Sequence, residues 1–168
     1  MKRTRTFEWA DPRGVALQAR GQDGLAFLRA IAGRGRVQAA PVAQCLAFEL
    51  VEAAEGRAVF ELTPSEFHYN PIGSVHGGVV ATLCDSATGA AVHSTLQAGE
   101  AYTTLEIKVS FLRAVTADTG PVRCEGSVIA RGARVATAEA RLTDSGGKVY
   151  AHATSTCLIL RNEVPKSG

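Results

Sequence analysis

The sequence lacks any long hydrophobic run and any large surplus of one charge. No apolar stretch approaches the roughly 20 residues that a membrane-spanning helix needs, and the charged N-terminus is followed by no apolar segment of the kind found in secretory signals. The formal net charge is only +2, too small to create a strong field for nucleic acid. We therefore expect a protein that has neither nucleic acid nor a membrane as a partner.

Closely spaced metal ligands and common cofactor motifs are also missing. The four cysteines lie far apart and form no C-x-x-C pair, and the four histidines never stand four residues from a second ligand. This spacing favours buried free thiols, predicts a cytoplasmic location and gives no reason to expect a metal or other cofactor. No G-x-G-x-x-G, P-loop or G-x-S-x-G motif is present to suggest a nucleotide site or a serine hydrolase.

The pattern that is present is typical of one α+β domain. Residues 1–22 show no clear period and are predicted to form an arm, residues 23–160 the domain, and residues 161–168 a polar tail. Because a curved antiparallel sheet must cover its apolar face, we expect about six strands to wrap one long helix. The predicted elements are a helix at 23–35, strands at 45–52 and 57–62, a loop at 63–75, the long helix at 77–96, and strands at 103–111, 121–130, 135–142 and 149–160.

One aspartate stands inside the long apolar helix. Asp85 is flanked one turn away by small residues, among them Ala81 and Gly89, so a ligand or another backbone could approach it closely. A carboxylate here is unfavourable for the helix and costly if it is buried without a partner. Two interpretations stay open: Asp85 lies on an exposed polar side, or it faces a site as a base or nucleophile.

Polar and flexible residues precede this helix in the stretch NPIGSVHGG. Gly77 and Gly78 would leave amide N–H groups open to a ligand at the positive end of the helix, although glycines here could also serve only a tight turn. His76 alone is more typical of a structural hydrogen-bonding group, and Asn70 could be a turn residue. The combination of amide donors and a carboxylate two turns later is more informative than any single member.

With these residues, the chain resembles the hotdog-fold thioesterases, specifically the PaaI-like acyl-CoA thioesterase group. The stretches that carry the resemblance are NPIGSVHGGVVATLCDSATGAA, TTLEIKVSFLRAV and GARVATAEARLTDSGGKVYAHATSTCLIL, within residues 41–160. The resemblance implies a hotdog fold, a central helix wrapped by the antiparallel sheet, with an additional N-terminal helix. It also implies a homodimer, which pairs again into a homotetramer, and an acyl-CoA substrate.

The resemblance assigns roles by position. Asp85 would be the general base or the nucleophile, and the Gly77 amide of the other subunit would polarise the thioester carbonyl. Asn70 and His76 would line the site. Substrate or CoA contacts would come from four residues at the helix start and at the turn around position 132: Gly78, Arg131, Gly132 and Arg134.

Two alternative functions remain open on the same fold. The stretch HYNPIGSVH is similar to a hydratase motif in which an aspartate precedes Asn-Pro, but His68 stands where that aspartate would be and the spacing to His76 is longer. The chain could therefore be an enoyl-CoA hydratase or dehydratase. It could also bind acyl-CoA without turning it over.

Overall fold

The structure, a computed structural model, describes residues 2–32 and 40–161. The helices are α1 (Pro12–Arg20), α2 (Gly24–Ile31), α3 (Pro41–Leu46) and α4 (Gly77–His93). The strands are β1 (Phe48–Ala54), β2 (Arg57–Leu62), β3 (Glu100–Phe111), β4 (Val122–Arg131), β5 (Val135–Asp144) and β6 (Val149–Arg161). No helix of the described part of the chain is long and apolar enough to span a membrane.

The six strands form one antiparallel sheet in the order β1-β2-β4-β5-β6-β3. The sheet curves around α4, which contacts all six strands, and it leaves β1 and β3 as its two edges. The hairpins predicted at residues 54–57, 131–134 and 143–148 join neighbouring strands, because small and glycine-rich turns suit tight connections. The predicted fold, a long helix wrapped by about six strands with an N-terminal helix, is confirmed.

The central helix lies unusually close to the middle of the sheet. A Cβ atom built on Gly126 of β4 would lie 2.2 Å from the backbone oxygen of Ala87, so only glycine permits this approach. The flanking side chains of α4, Leu83 and Ala87, are fully buried against the sheet. The position of α4, and with it the position of Asp85, is therefore fixed by backbone contact as well as by side-chain packing.

Two helices were not expected from the sequence. Residues 12–20 of the predicted arm form α1, which begins with Pro12 after Asp11, whose carboxylate accepts a hydrogen bond from the Arg13 N–H at 3.0 Å. Residues 41–46 form α3, although positions 45 and 46 belong to the strand predicted at 45–52. The Gln44 and Cys45 carbonyls near its C-terminus accept hydrogen bonds from the Arg5 guanidinium. Because Arg5 lies 39 to 40 residues earlier in the chain, the local sequence pattern around α3 could not predict this contact.

The alternation predicted along β3 holds only in part. A β-bulge between Thr104 and Glu106 leaves Leu105 outside the register, and Leu105 is 57% exposed. Ile107 and Val109 pack against the core as expected. The predicted helix stop at positions 33 and 35 and residues 162–168 of the tail predicted at 161–168 lie outside the described residues, whereas Arg161 ends β6.

Two histidines, one buried and one half-buried, add a pH-sensitive element to the fold. His68 is buried, with Nδ1 accepting from the Ser65 N–H at 3.0 Å and Nε2 donating to the Leu46 carbonyl at 2.7 Å. His93 lies edge-on between the rings of Phe27 and Tyr102, and its buried Nε2 has no hydrogen-bond partner among the residues that the structure describes. Burial lowers the pKa of both histidines from the ordinary value of 6.5.

We expect the free energy of unfolding to fall as the pH is lowered below about 6.5. The unfolded chain then binds more protons than the folded one, because both folded-state pKa values are depressed; above pH 6.5 this stability is fully present. Urea denaturation between pH 7.5 and 5.5 measures the effect, and His93→Phe should make the dependence shallower. A wild-type midpoint that stays constant over this range would contradict the prediction.

Candidate functional site

The loop before α4 is shaped by Asn70. Its side-chain oxygen accepts hydrogen bonds from the N–H groups of Ile72 at 3.0 Å and Ser74 at 3.3 Å, and its amide nitrogen donates to the Ser74 hydroxyl at 3.1 Å. The side chain is thus used within its own loop, in the manner of an Asx turn. Asn70 lines the cavity beside the helix start, but its main visible role is to hold the loop.

His76 caps the N-terminus of α4. Its Nδ1 accepts a hydrogen bond from the Gly78 N–H at 2.8 Å, and its carbonyl accepts from the Val79 N–H at 2.9 Å. The Gly78 amide, expected to be open to a ligand, is therefore occupied. Among the described residues, the Gly77 N–H has no acceptor, so it is the open donor at the positive end of the helix.

A cavity of about 340 Å³ lies beside Gly77, and we call it the helix-mouth cavity. The Phe111 ring stands over Gly77 so closely that a Cβ there would lie 3.2 Å from it. Arg113 also lines the cavity, and its guanidinium donates to the Val149 carbonyl. The cavity thus combines an open amide, an aromatic wall and one positive charge.

Asp85 is half-buried in the middle of α4 and is held by β3. Its Oδ1 accepts a hydrogen bond from the Thr104 hydroxyl at 2.9 Å. Thr104 lies where the β-bulge begins, on an edge strand of the sheet. The sequence did not single out Thr104, because one threonine in an alternating strand looks like any other; only the packing of α4 on β3 brings it to the carboxylate.

A phenol and a thiol, those of Tyr102 and Cys157, lie near Asp85. A Cβ on Gly89, one turn beyond Asp85, would lie 2.5 Å from the Tyr102 hydroxyl, so glycine makes room for the phenol. Burial, helped by Cys157 and Asp85, raises the pKa of Tyr102, and burial also raises the pKa of the Cys157 thiol. Both stay protonated near pH 7, and Asp85 is the group here that can act as a base or nucleophile.

Gly77 and Asp85 do not meet within one protomer. They are eight residues apart on one helix, which corresponds to about 12 Å along its axis. A reacting atom must lie within about 3 Å of each group that acts on it. The described residues also bring no three histidine, cysteine or acidic side chains together as a metal-binding group.

The turn proposed for CoA contacts joins β4 to β5. The Gly132 N–H donates to the Val135 carbonyl at 2.8 Å, as in a tight hairpin. Arg131 pairs with Glu100 at 2.6 Å, so part of its charge is compensated, whereas Arg134 is exposed and makes no ion pair in the described part of the chain. None of these three residues lines the helix-mouth cavity.

Comparison with known proteins identifies the family. Residues 72–151 match the family model of the thioesterase superfamily. A protein of Saccharolobus solfataricus named as a putative esterase is 31% identical over 116 residues, which cover 69% of this chain and 81% of that protein. The chain therefore belongs to the thioesterase superfamily. It is a thioester hydrolase, and its predicted likeness to the PaaI-like group is confirmed.

Solved structures agree with this assignment. A conserved protein of Pseudomonas aeruginosa is 30% identical with a TM-score of 0.68, over 73% of this chain and 95% of that one. A phenylacetic acid degradation-related protein from Ralstonia eutropha is 29% identical with a TM-score of 0.68, over 81% and 98% of the two chains. The PaaI protein of E. coli, at 23% identity and a TM-score of 0.66 over 72% and 85%, shares the fold.

We expect Thr104→Val to lower kcat for thioester hydrolysis about tenfold with little change in KM, because the carboxylate loses the donor that orients it. Thr104→Ser keeps the hydroxyl and should retain most of the activity. Steady-state kinetics of the two variants, each checked for an unchanged melting temperature, measure the effect. Equal kcat values for the valine and serine variants would show that Thr104 does not position Asp85.

Proposed function

We propose that the protein hydrolyses acyl-CoA thioesters to a free acid and coenzyme A. The observation that carries the proposal is the half-buried carboxylate of Asp85, held by Thr104 inside an otherwise apolar helix. Such a carboxylate is costly for folding, so its presence here supports a functional role, and the protonated phenol and thiol near it leave it as the group able to attack.

The attack can proceed in two ways. As a general base, Asp85 takes a proton from a water molecule while the water oxygen bonds to the thioester carbon, and the CoA thiolate then leaves and is protonated. As a nucleophile, Asp85 bonds to that carbon and expels the thiolate, and water then hydrolyses the mixed anhydride. In either route the carbonyl oxygen gains negative charge, which an amide N–H at a helix N-terminus stabilises.

The open amide of Gly77 is suited to that oxygen, but it must come from a second subunit. The separation of about 12 Å along α4 prevents one protomer from supplying both groups. The unpaired edge of β3, with Leu105, Phe111 and Leu112 exposed beside it, supports a twofold dimer formed through β3. Pairing of two dimers into a tetramer remains a prediction.

The proposed contacts to CoA rest on the positions of three arginines. Arg113, which lines the helix-mouth cavity, is favourably placed for a phosphate or the pantetheine amides. Arg134 offers an uncompensated charge, and Arg131 would have to share its charge with Glu100. Asn70 would act by holding the loop, and His76 by capping the helix and offering its Nε2 to water or substrate.

The hydratase alternative loses support at His68. Both of its ring nitrogens are used, by the Ser65 N–H and by the Leu46 carbonyl, and the side chain is buried. A proton donor or acceptor for an enoyl group would have to be exposed to substrate. Binding without turnover has no particular observation in its favour.

Asp85→Asn tests the proposal, because asparagine has the same shape and still accepts the Thr104 hydrogen bond. We expect kcat to fall at least about 100-fold in assays of free thiol released from acetyl-, hexanoyl-, octanoyl- and phenylacetyl-CoA. A variant as active as the wild type, or a wild type that releases no thiol from any of them, would overturn the proposal. Loss of the enoyl absorbance of crotonyl-CoA would point instead to a hydratase.

The Gly77 amide can be removed without disturbing the helix. Proline is accepted at the first helical position, and the ψ of 135° at His76 suits a residue before proline. We expect Gly77→Pro to lower kcat about 100- to 1,000-fold. Gly77→Ala places the same Cβ beside Phe111 but keeps the N–H, so it is the matched control and should lose far less.

The same variant tests whether the site spans two subunits. Asp85→Asn and Gly77→Pro proteins, each nearly inactive, are unfolded together and refolded. A mixed dimer carries both changes in one site and none in the other, so the mixture should regain roughly a quarter of wild-type activity. No gain over the separate variants, with mixed dimers demonstrated by mass spectrometry, would show that both groups act within one protomer.

A further inference from the structure

A second cavity, of about 240 Å³, lies beside α4 and is lined by residues of both edge strands, β1 and β3. We call it the α2 chamber, because α2 and α3 close it. Its walls include Phe27 and Leu28 of α2, Phe48 of β1, Ala90 of α4 and Tyr102 of β3. Most of these side chains are hydrocarbon, so the chamber suits an apolar guest.

The chamber begins beside the catalytic candidate. Ser86, the residue after Asp85, lines it, and so do Ala90 and His93 farther along the same face of α4. Tyr102, two residues before Thr104 on β3, stands between the chamber and Asp85, with its hydroxyl against Gly89. An acyl group whose carbonyl lies at Asp85 would therefore run along α4 toward its C-terminus, past the Tyr102 side chain, to enter the chamber.

The size and charge of the chamber limit what fits. A cavity of roughly 150 Å³ holds benzene, so the larger volume here accepts one aryl ring with a short linker or a chain of roughly six to ten carbons. Burial lowers the pKa of His93, so its ring adds no positive charge near pH 7. The charged group among the lining residues is Glu49, which would repel a second carboxylate.

Resting on the proposed function, we propose that the α2 chamber binds the uncharged hydrocarbon part of the acyl group and thereby sets substrate preference. The walls from α2, α3, β1 and β2 precede residues 72–151, the segment that matches the family model. The α2 wall is anchored to the core, since the Gly24 N–H donates to the Leu96 carbonyl at 2.9 Å and Gly24 packs directly on the His93 backbone. On this proposal, the preference for a particular acyl group is set in part by the N-terminal helices of this chain.

Filling and enlarging the chamber test the proposal. Each methylene transferred from water to the chamber favours binding by a factor of roughly four, so octanoyl-CoA should exceed acetyl-CoA in kcat/KM at least about 100-fold, and adipyl-CoA should be poor. Ala90→Leu should lower kcat/KM for octanoyl- and phenylacetyl-CoA about tenfold or more and leave acetyl-CoA within about twofold. Leu28→Ala should raise the preference for decanoyl- over octanoyl-CoA about threefold or more.

Ala130→Leu, which adds the same bulk at an exposed position on β4, is the control and should change no ratio. The chamber proposal would be overturned if Ala90→Leu lowered kcat/KM equally for every thioester, or if neither chamber variant changed the ratios of kcat/KM between thioesters. Either result would leave the proposed hydrolysis intact. The melting temperature of each variant identifies any that is not folded.

Binding of the uncharged probe octan-1-ol, measured by calorimetry, tests the chamber independently of catalysis. We expect wild-type protein to bind octan-1-ol and Ala90→Leu to bind it at least about tenfold more weakly. If the protein hydrolyses no thioester but binds octan-1-ol in this Ala90-dependent way, the proposed function is wrong and the chamber proposal is supported. If octan-1-ol does not bind, or binds both proteins equally, the chamber proposal is overturned.

Discussion

The contact between the backbone of α4 at Ala87 and Gly126 of β4 is the constraint on which the rest of the structure depends. It removes any side chain between helix and sheet at that point, so the sheet can curve closely around the helix. Because α4 then contacts every strand, each face of the helix packs against a particular part of the sheet. Asp85 meets the edge strand β3, whereas Ala90 meets the gap between the two sheet edges that α2 and α3 cover.

This packing explains how a charged group is tolerated inside the helix. Asp85 lies at the open edge of the sheet, where it keeps partial exposure and gains one hydrogen bond from Thr104. The surrounding phenol and thiol are kept protonated by burial, so no second anion competes with it. The fold thus places the Asp85 carboxylate, with the Tyr102 phenol and the Cys157 thiol near it, next to a largely apolar chamber.

The sequence predicted the elements whose signals are local. Strands β2 and β4 to β6, their turns and the apolar length of α4 follow from alternation, glycine-containing turns and helical period. It could not predict α3, because Ala47 ends that helix in the left-handed region at φ 54° and Arg5 satisfies its last carbonyls from the far N-terminus. In the site, Asp85 and Gly77 could be singled out, but the Thr104 contact and the use of the Gly78 amide by His76 depend on three-dimensional packing.

The proposed catalytic residues and the proposed chamber wall come from different parts of the chain. Residues 72–151, which match the family model, include the helix start, Asp85 and Thr104, the residues of the proposed catalytic site, whereas Asn70 lies just before them. The N-terminal helices supply the chamber wall and lie outside that segment. The wall touches α4 beyond Asp85 rather than Asp85 itself. If the chamber binds the acyl group as proposed, substitutions in its wall would change the acyl group that fits without moving the carboxylate or the amide. A hotdog domain of this kind would then keep one chemistry while its N-terminal helices vary the substrate.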